Sequence, residues 1–296
     1  MLREMVVYGL HYVQMLFNCQ MLMLMVIGCS QAENTFNFGA AENLSFAKCI
    51  TCASEEAREV WAHGFGFMLN YNHEMAIGKY MECLEKDPKC AMAHWGIAYS
   101  LSSSYNWPPG LGSGHDSCEA ANGLKEGLSE LEVDLIEALA TRHSAEAKAS
   151  AAPAQLKMGN DPELNKAFAA AMEPVFEKYK TNLDVTAVYV EALMNLKPWA
   201  LWDKEVCTGD GQSYLNITPA DENTSKLITV IETALGMTEA NTYTPQTAHP
   251  ALLHLYCHAM ELSPTPERAV PCANMLWHTV PDGGHLVHMP SHIYAW

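Results

Sequence analysis

The chain is predicted to be all-α, a solenoid of paired helices with irregular insertions. Three observations predict it. Apolar and small residues recur at helical spacing in adjacent segments, as in Val60, Gly64 and Phe67 followed by Ala76, Tyr80 and Cys83. The pattern then returns after about 34 residues, with Ala98 where Gly64 stood and Leu101 where Phe67 stood. No segment alternates apolar and polar residues clearly enough to read as a strand. At 296 residues, 49% of them hydrophobic, the chain can bury a sizeable core.

Residues 1–32 are set apart from this fold. Met21-Leu22-Met23-Leu24-Met25-Val26-Ile27 is an apolar run followed by small residues up to Ala32, which reads as an export signal or a lipoprotein leader. Cleavage after Ala32 and a lipobox ending at Cys29 are both compatible with it. The expected location is therefore outside the cytoplasm: secreted, periplasmic or lipid-anchored, with that anchor as the only membrane contact. Eight of the ten cysteines lie beyond the leader, an even number that suits disulfides. Cys49-Ile50-Thr51-Cys52 reads first as a local disulfide, with a redox pair or half a zinc site as alternatives.

Residues 33–296 carry the solenoid. A first unit spans about 57–90, closed by Pro88, and a second about 91–118, with a helix over Ala91 to Ser103. Trp107-Pro108-Pro109-Gly110 then breaks the pairing. Helices are expected over Cys118 to Ala147, Asp161 to Lys180 and Leu183 to Leu196. Residues 151–200 form a degenerate unit. Ser150 to Gly159 and Cys207 to Glu222, rich in turn-forming residues, read as loops. A well-matched unit spans 250–283, where Pro264 and Pro266 bracket the turn, and an incomplete one spans 284–296. A solenoid normally ends in a polar cap, so the sequence reads as a fragment truncated at its C-terminus.

The chemistry-bearing residues gather near that end. His254, His258 and Glu261 are spaced i, i+4, i+7, and His285, His288 and His292 are spaced i, i+3, i+7, so each triplet forms one helical stripe. Five neutral imidazoles and a carboxylate suit a divalent transition metal such as zinc, copper or iron, with enough donors for two ions. Glu261 would serve as a ligand or a general base. The competing reading is a polar, hydrogen-bonded seam between repeats. His249 before Pro250 reads as a cap, Cys257 as core, and His63, His73 and His94 as structural. The formal charge of −17 favours cations and disfavours nucleic acid, which is not expected as a partner.

The spacing in 57–90 and 250–283, with Asp87-Pro88-Lys89-Cys90-Ala91-Met92-Ala93-His94-Trp95-Gly96-Ile97-Ala98-Tyr99 and Gly284-His285-Leu286-Val287-His288-Met289-Pro290-Ser291-His292-Ile293-Tyr294, resembles a group of largely uncharacterised tetratricopeptide-repeat proteins. The resemblance runs, with gaps, from about Cys49 onward. It implies a concave groove lined by the first helix of each repeat. Trp61, Phe65, Trp95 and Tyr99 would then line one end of that groove, and the six metal-ligand candidates the other. Three functions stand as expectations: a metal-dependent enzyme acting on a small-molecule or extended substrate, a scaffold that binds a peptide or protein segment without catalysis, or a protein that captures or delivers metal in the exported compartment.

Overall fold

The computed structural model describes residues 46–107, 110–143, 161–209 and 212–295. The leader and the loop at Ser150 to Gly159 lie outside the described residues. The described chain is mainly helical with one two-stranded hairpin, and its buried apolar side chains form one continuous core. Among the described residues no helix is long and apolar enough to cross a membrane.

A short 3-10 turn, Phe46–Lys48, leads into α1, Glu55–Leu69. Ser54 starts α1 by accepting from Ala57 N, with Glu55 and Glu56 in the first turn, where the helix dipole favours acids. α1 packs against α2, His73–Lys86, which Asn72 caps through Met75 N, and α2 against α3, Ala91–Leu101. Tyr80 of α2 wedges between its neighbours. A Cβ on Gly64 of α1 would meet its ring at 2.8 Å, and one on Gly96 of α3 would overlap it. The two glycines thus let an aromatic ring lie against backbone.

The expected long helix from Cys118 to Ala147 is instead two: α4, His115–Gly123, and α5, Glu130–Ala140. The break has a local cause. Gly127 has φ +80, and Ser129 with Glu132 forms a reciprocal capping box that starts a new helix. α6, Pro162–Lys178, and α7, Leu183–Met194, fall close to expectation.

The segment from Cys207 to Glu222, expected as a loop, overturns the expectation of no strands. β1, Trp202–Gly209, pairs antiparallel with β2, Gln212–Pro219, from Trp202↔Pro219 to Gly209↔Gln212. The hairpin escapes the periodicity argument because neither strand alternates toward a core: Val206 is 71% exposed and its partner Leu215 52%. The dipeptide Asp210-Gly211, common in loops, is equally the sequence of a tight hairpin turn.

α8, Glu222–Ala234, packs on α7 and on α9, Pro250–Met260. Proline opens α9 where no donor is needed, and His249 caps it by accepting from Leu252 N while its Nε2 pairs with Asp184 at 3.0 Å. A 3-10 turn at Pro266–Ala269 leads to α10, Val270–Thr279, then α11, Gly284–His288, and α12, Pro290–Tyr294. The last two are one helical path interrupted by Pro290, which has no N–H to bond back to Leu286; Met289 between them keeps helical angles of −55° and −36°. The three histidines expected on one helix therefore still share a face.

Candidate metal centre

α9 supplies His254 and His258, buried at 0% and 2% exposure, and Glu261 lies at its C-cap. α11 and α12 bring His285, His288 and His292 over them, graded from half-buried to exposed at His288. All six predicted residues thus come together. One ring nitrogen each from His254, His258 and His285 lie within 4.8 Å of one another, and the same holds for donor atoms of His258, Glu261 and His292.

The hydrogen bonds decide which nitrogens face outward. Glu261 Oε1 accepts from His258 Nδ1 at 2.8 Å and Oε2 from His292 Nδ1 at 2.6 Å. With Nδ1 engaged, Nε2 is the free nitrogen of His258; it is buried and has no partner among the described residues. His254 Nε2 and His285 Nε2 lie 3.0 Å apart, and His288 Nε2 lies 3.1 Å from His292 Nε2. Orphaned buried polar atoms are costly, and the His258 ring lies 4.8 Å from that of His254 and 5.4 Å from that of His292.

Charge follows from this enclosure. Burial, then the neighbouring histidines, holds His254 well below the ordinary histidine range and pushes His285 down to about 4. Burial also lowers His258, against the opposing pull of Glu261. For Glu261, burial acts upward, but hydrogen bonds from His258 and His292 outweigh it and keep the carboxyl below its usual value. Neutral imidazoles beside an ionised carboxylate are the protonation states a metal ion requires.

Several neighbours were not legible in the sequence. Asn106, in the proline-rich break, places Nδ2 3.2 Å from His254 Nε2 and 2.5 Å from His285 Nε2, with Oδ1 buried and unpartnered among the described residues. Tyr71 lies 4.5 Å from the His254 ring and 5.3 Å from that of His285, and Trp199 lies edge-on 5.2 Å from His258. Both hold left-handed backbone angles, φ 59 and φ 61, which non-glycine residues adopt at a cost. Strained aromatics thus flank the histidines from two sides, and Tyr105 adds a third ring 5.1 Å from His258. His73, read from sequence as structural, is the first residue of α2, with its ring edge-on to Tyr71.

The aromatic groove residues lie elsewhere. Trp61, Phe65 and Trp95 are at most 1% exposed and Tyr99 is 6% exposed. They are core, stacked in pairs, with Phe46 edge-on to Trp61, Phe65 and Trp95. Aromatic residues at helix-facing spacing serve a groove and a core equally well, and here packing claims them. No protein-family model, curated protein or solved structure matches the chain.

Proposed function

We propose that His254, His258, His285, His288 and His292, oriented by Glu261, form a transition-metal centre for zinc, copper or iron on an exported solenoid of tetratricopeptide type. The observation that carries this reading is the unpartnered, buried Nε2 of His258 beside the converging nitrogens of His254 and His285. A seam between repeats would pair its polar atoms; that reading accounts for the Nε2 pairs of His254 with His285 and of His288 with His292, but leaves His258 Nε2 and His254 Nδ1 buried without partners among the described residues. Glu261 acts through two histidines, since each of its oxygens accepts from an Nδ1. That is the carboxylate–histidine support that fixes the tautomer and orients a metal-binding ring. When bound, the ion would supply Lewis acidity to water or substrate reaching the exposed side at His288. The peptide-scaffold reading draws on Trp61, Phe65, Trp95 and Tyr99, whose burial withdraws its support.

Elemental analysis of residues 33–296, produced without a histidine tag in an exporting host, tests the proposal. Near-stoichiometric metal, lost in the His258→Ala/His288→Ala double variant with helicity retained, is the expected result. A metal-free protein that takes up none of the three ions would overturn it and leave the polar seam.

A further inference from the structure

A second cluster lies apart from the histidines. Cys52, Cys83 and Cys90 bring three sulfurs within 4.8 Å of one another. Cys83 sits in the last turn of α2, Cys90 caps α3, and Cys52 lies just before α1. The repeat spacing accounts for Cys83, which fills a small helix-contact position and is fully buried. It does not account for Cys52. That residue belongs to no helix, yet its Sγ lies 3.3 Å from Cys90 Sγ.

The segment carrying Cys52 is otherwise held by side chains of distant elements. Phe46 N donates to Asp184 Oδ2 at 2.8 Å, Thr51 donates to both oxygens of Glu132 at 2.6 and 2.8 Å, and Ala53 N donates to Asp87 Oδ2 at 2.7 Å. Its Phe46 ring meets Trp61, Phe65 and Trp95 edge-on at 5.4, 5.5 and 6.2 Å. The chain's own segment therefore occupies the aromatic face.

We propose that Cys52 and Cys90 are joined as a disulfide, and that this bond staples the Phe46–Ala53 segment over Trp61, Phe65 and Trp95. The oxidant is a protein disulfide donor of the kind that exporting compartments supply. One cysteine thiolate attacks the donor disulfide to give a mixed disulfide; the second displaces the donor's remaining thiolate. Two protons leave the cysteines, and the donor departs as a dithiol. Three thiolates around a soft ion would be the competing use of these sulfurs. A divalent ion would offset two of the three thiolate charges, leaving a net negative centre with three of the four ligands a structural zinc takes, in a site where Cys83 and Cys90 are fully buried. A neutral disulfide avoids that desolvation. The pairing also replaces the Cys49–Cys52 disulfide expected from sequence, because Cys49 is exposed while Cys52 turns inward to Cys90.

The test is non-reducing peptide mapping of the full chain from an oxidising, exporting host after alkylation of the native protein. A linked Cys52–Cys90 peptide is expected, with Cys83 alkylated only after unfolding. In addition, Cys52→Ser, a conservative change at a half-buried site, should lower the urea midpoint of the oxidised protein. Reductant should bring the parent down to the same midpoint. A Cys49–Cys52 bond, Cys52 alkylated in the native protein, sulfur-coordinated zinc by X-ray absorption, or a midpoint indifferent to reductant would each overturn the proposal.

Discussion

His292 Nδ1 lies 2.6 Å from Glu261 Oε2, a bond between residues 31 apart in sequence that fastens α12 to the end of α9. An ionised carboxylate has no proton to give, so the histidine donates, and in the neutral ring Nε2 then carries the lone pair. The same holds for His258. Glu261→Gln should therefore weaken metal binding by roughly 10–100-fold, because the amide nitrogen cannot accept from an Nδ1–H. Competition against a chromophoric chelator measures it. Unchanged affinity would remove Glu261 from the centre, and complete loss would make it a ligand.

The six candidate residues were legible because helical spacing is periodic and His and Glu recur on it in one short region. What gathered around them was not. Asn106 and Trp199 reach the histidines through irregular backbone, and the left-handed angles of Tyr71 and Trp199 have no sequence signature of the kind glycine gives. The aromatic residues failed for the opposite reason. Trp61, Phe65, Trp95 and Tyr99 were placed on the correct helices, yet periodicity says which face a residue lies on and not what covers it. Phe46, in the short turn before α1, covers that face. The capping box at Ser129 and Glu132 is present in the sequence, whereas helical spacing of Leu131, Leu135, Ile136 and Leu139 does not by itself mark where a helix begins.

Tyr80 supplies a packing prediction with its own control. Gly96→Ala forces a methyl into the buried Tyr80 ring and should cost about 1–3 kcal/mol, the usual penalty of overpacking. Gly78, in the same helix as Tyr80, has nothing within 4 Å of a built Cβ. Gly78→Ala should therefore stabilise by roughly 0.5–1 kcal/mol through helix propensity. Urea unfolding of the two variants should move in opposite directions, and a shared sign would refute the wedge.

Tyr99 distinguishes core from groove. Its hydroxyl donates to Glu191 Oε2 at 2.7 Å, and burial raises the Glu191 carboxyl above its ordinary value. Tyr99→Phe removes a donor from a buried acid and should destabilise by about 1–3 kcal/mol. A groove residue would instead leave the urea midpoint unchanged. The midpoint alone separates the two.

Acid should destabilise the fold through one buried and one half-buried histidine outside the metal centre. Burial pushes His73 down to about 4, and burial with the charge of Arg142 does the same to His143. Their ordinary value is about 6.5, so between these limits the unfolded chain binds protons that the folded chain refuses. Stability is then full above pH ~6.5, falls as pH drops toward ~4, and levels off below. Each histidine costs the folded state up to about 1.4 kcal/mol for every pH step of one between those limits. Neither His73 nitrogen has a partner among the described residues, so His73→Leu sacrifices no hydrogen bond while removing one titration. Urea midpoints at neutral pH and near pH 5 should differ less in His73→Leu than in the parent. Parallel profiles would show that His73 is not held neutral by the fold.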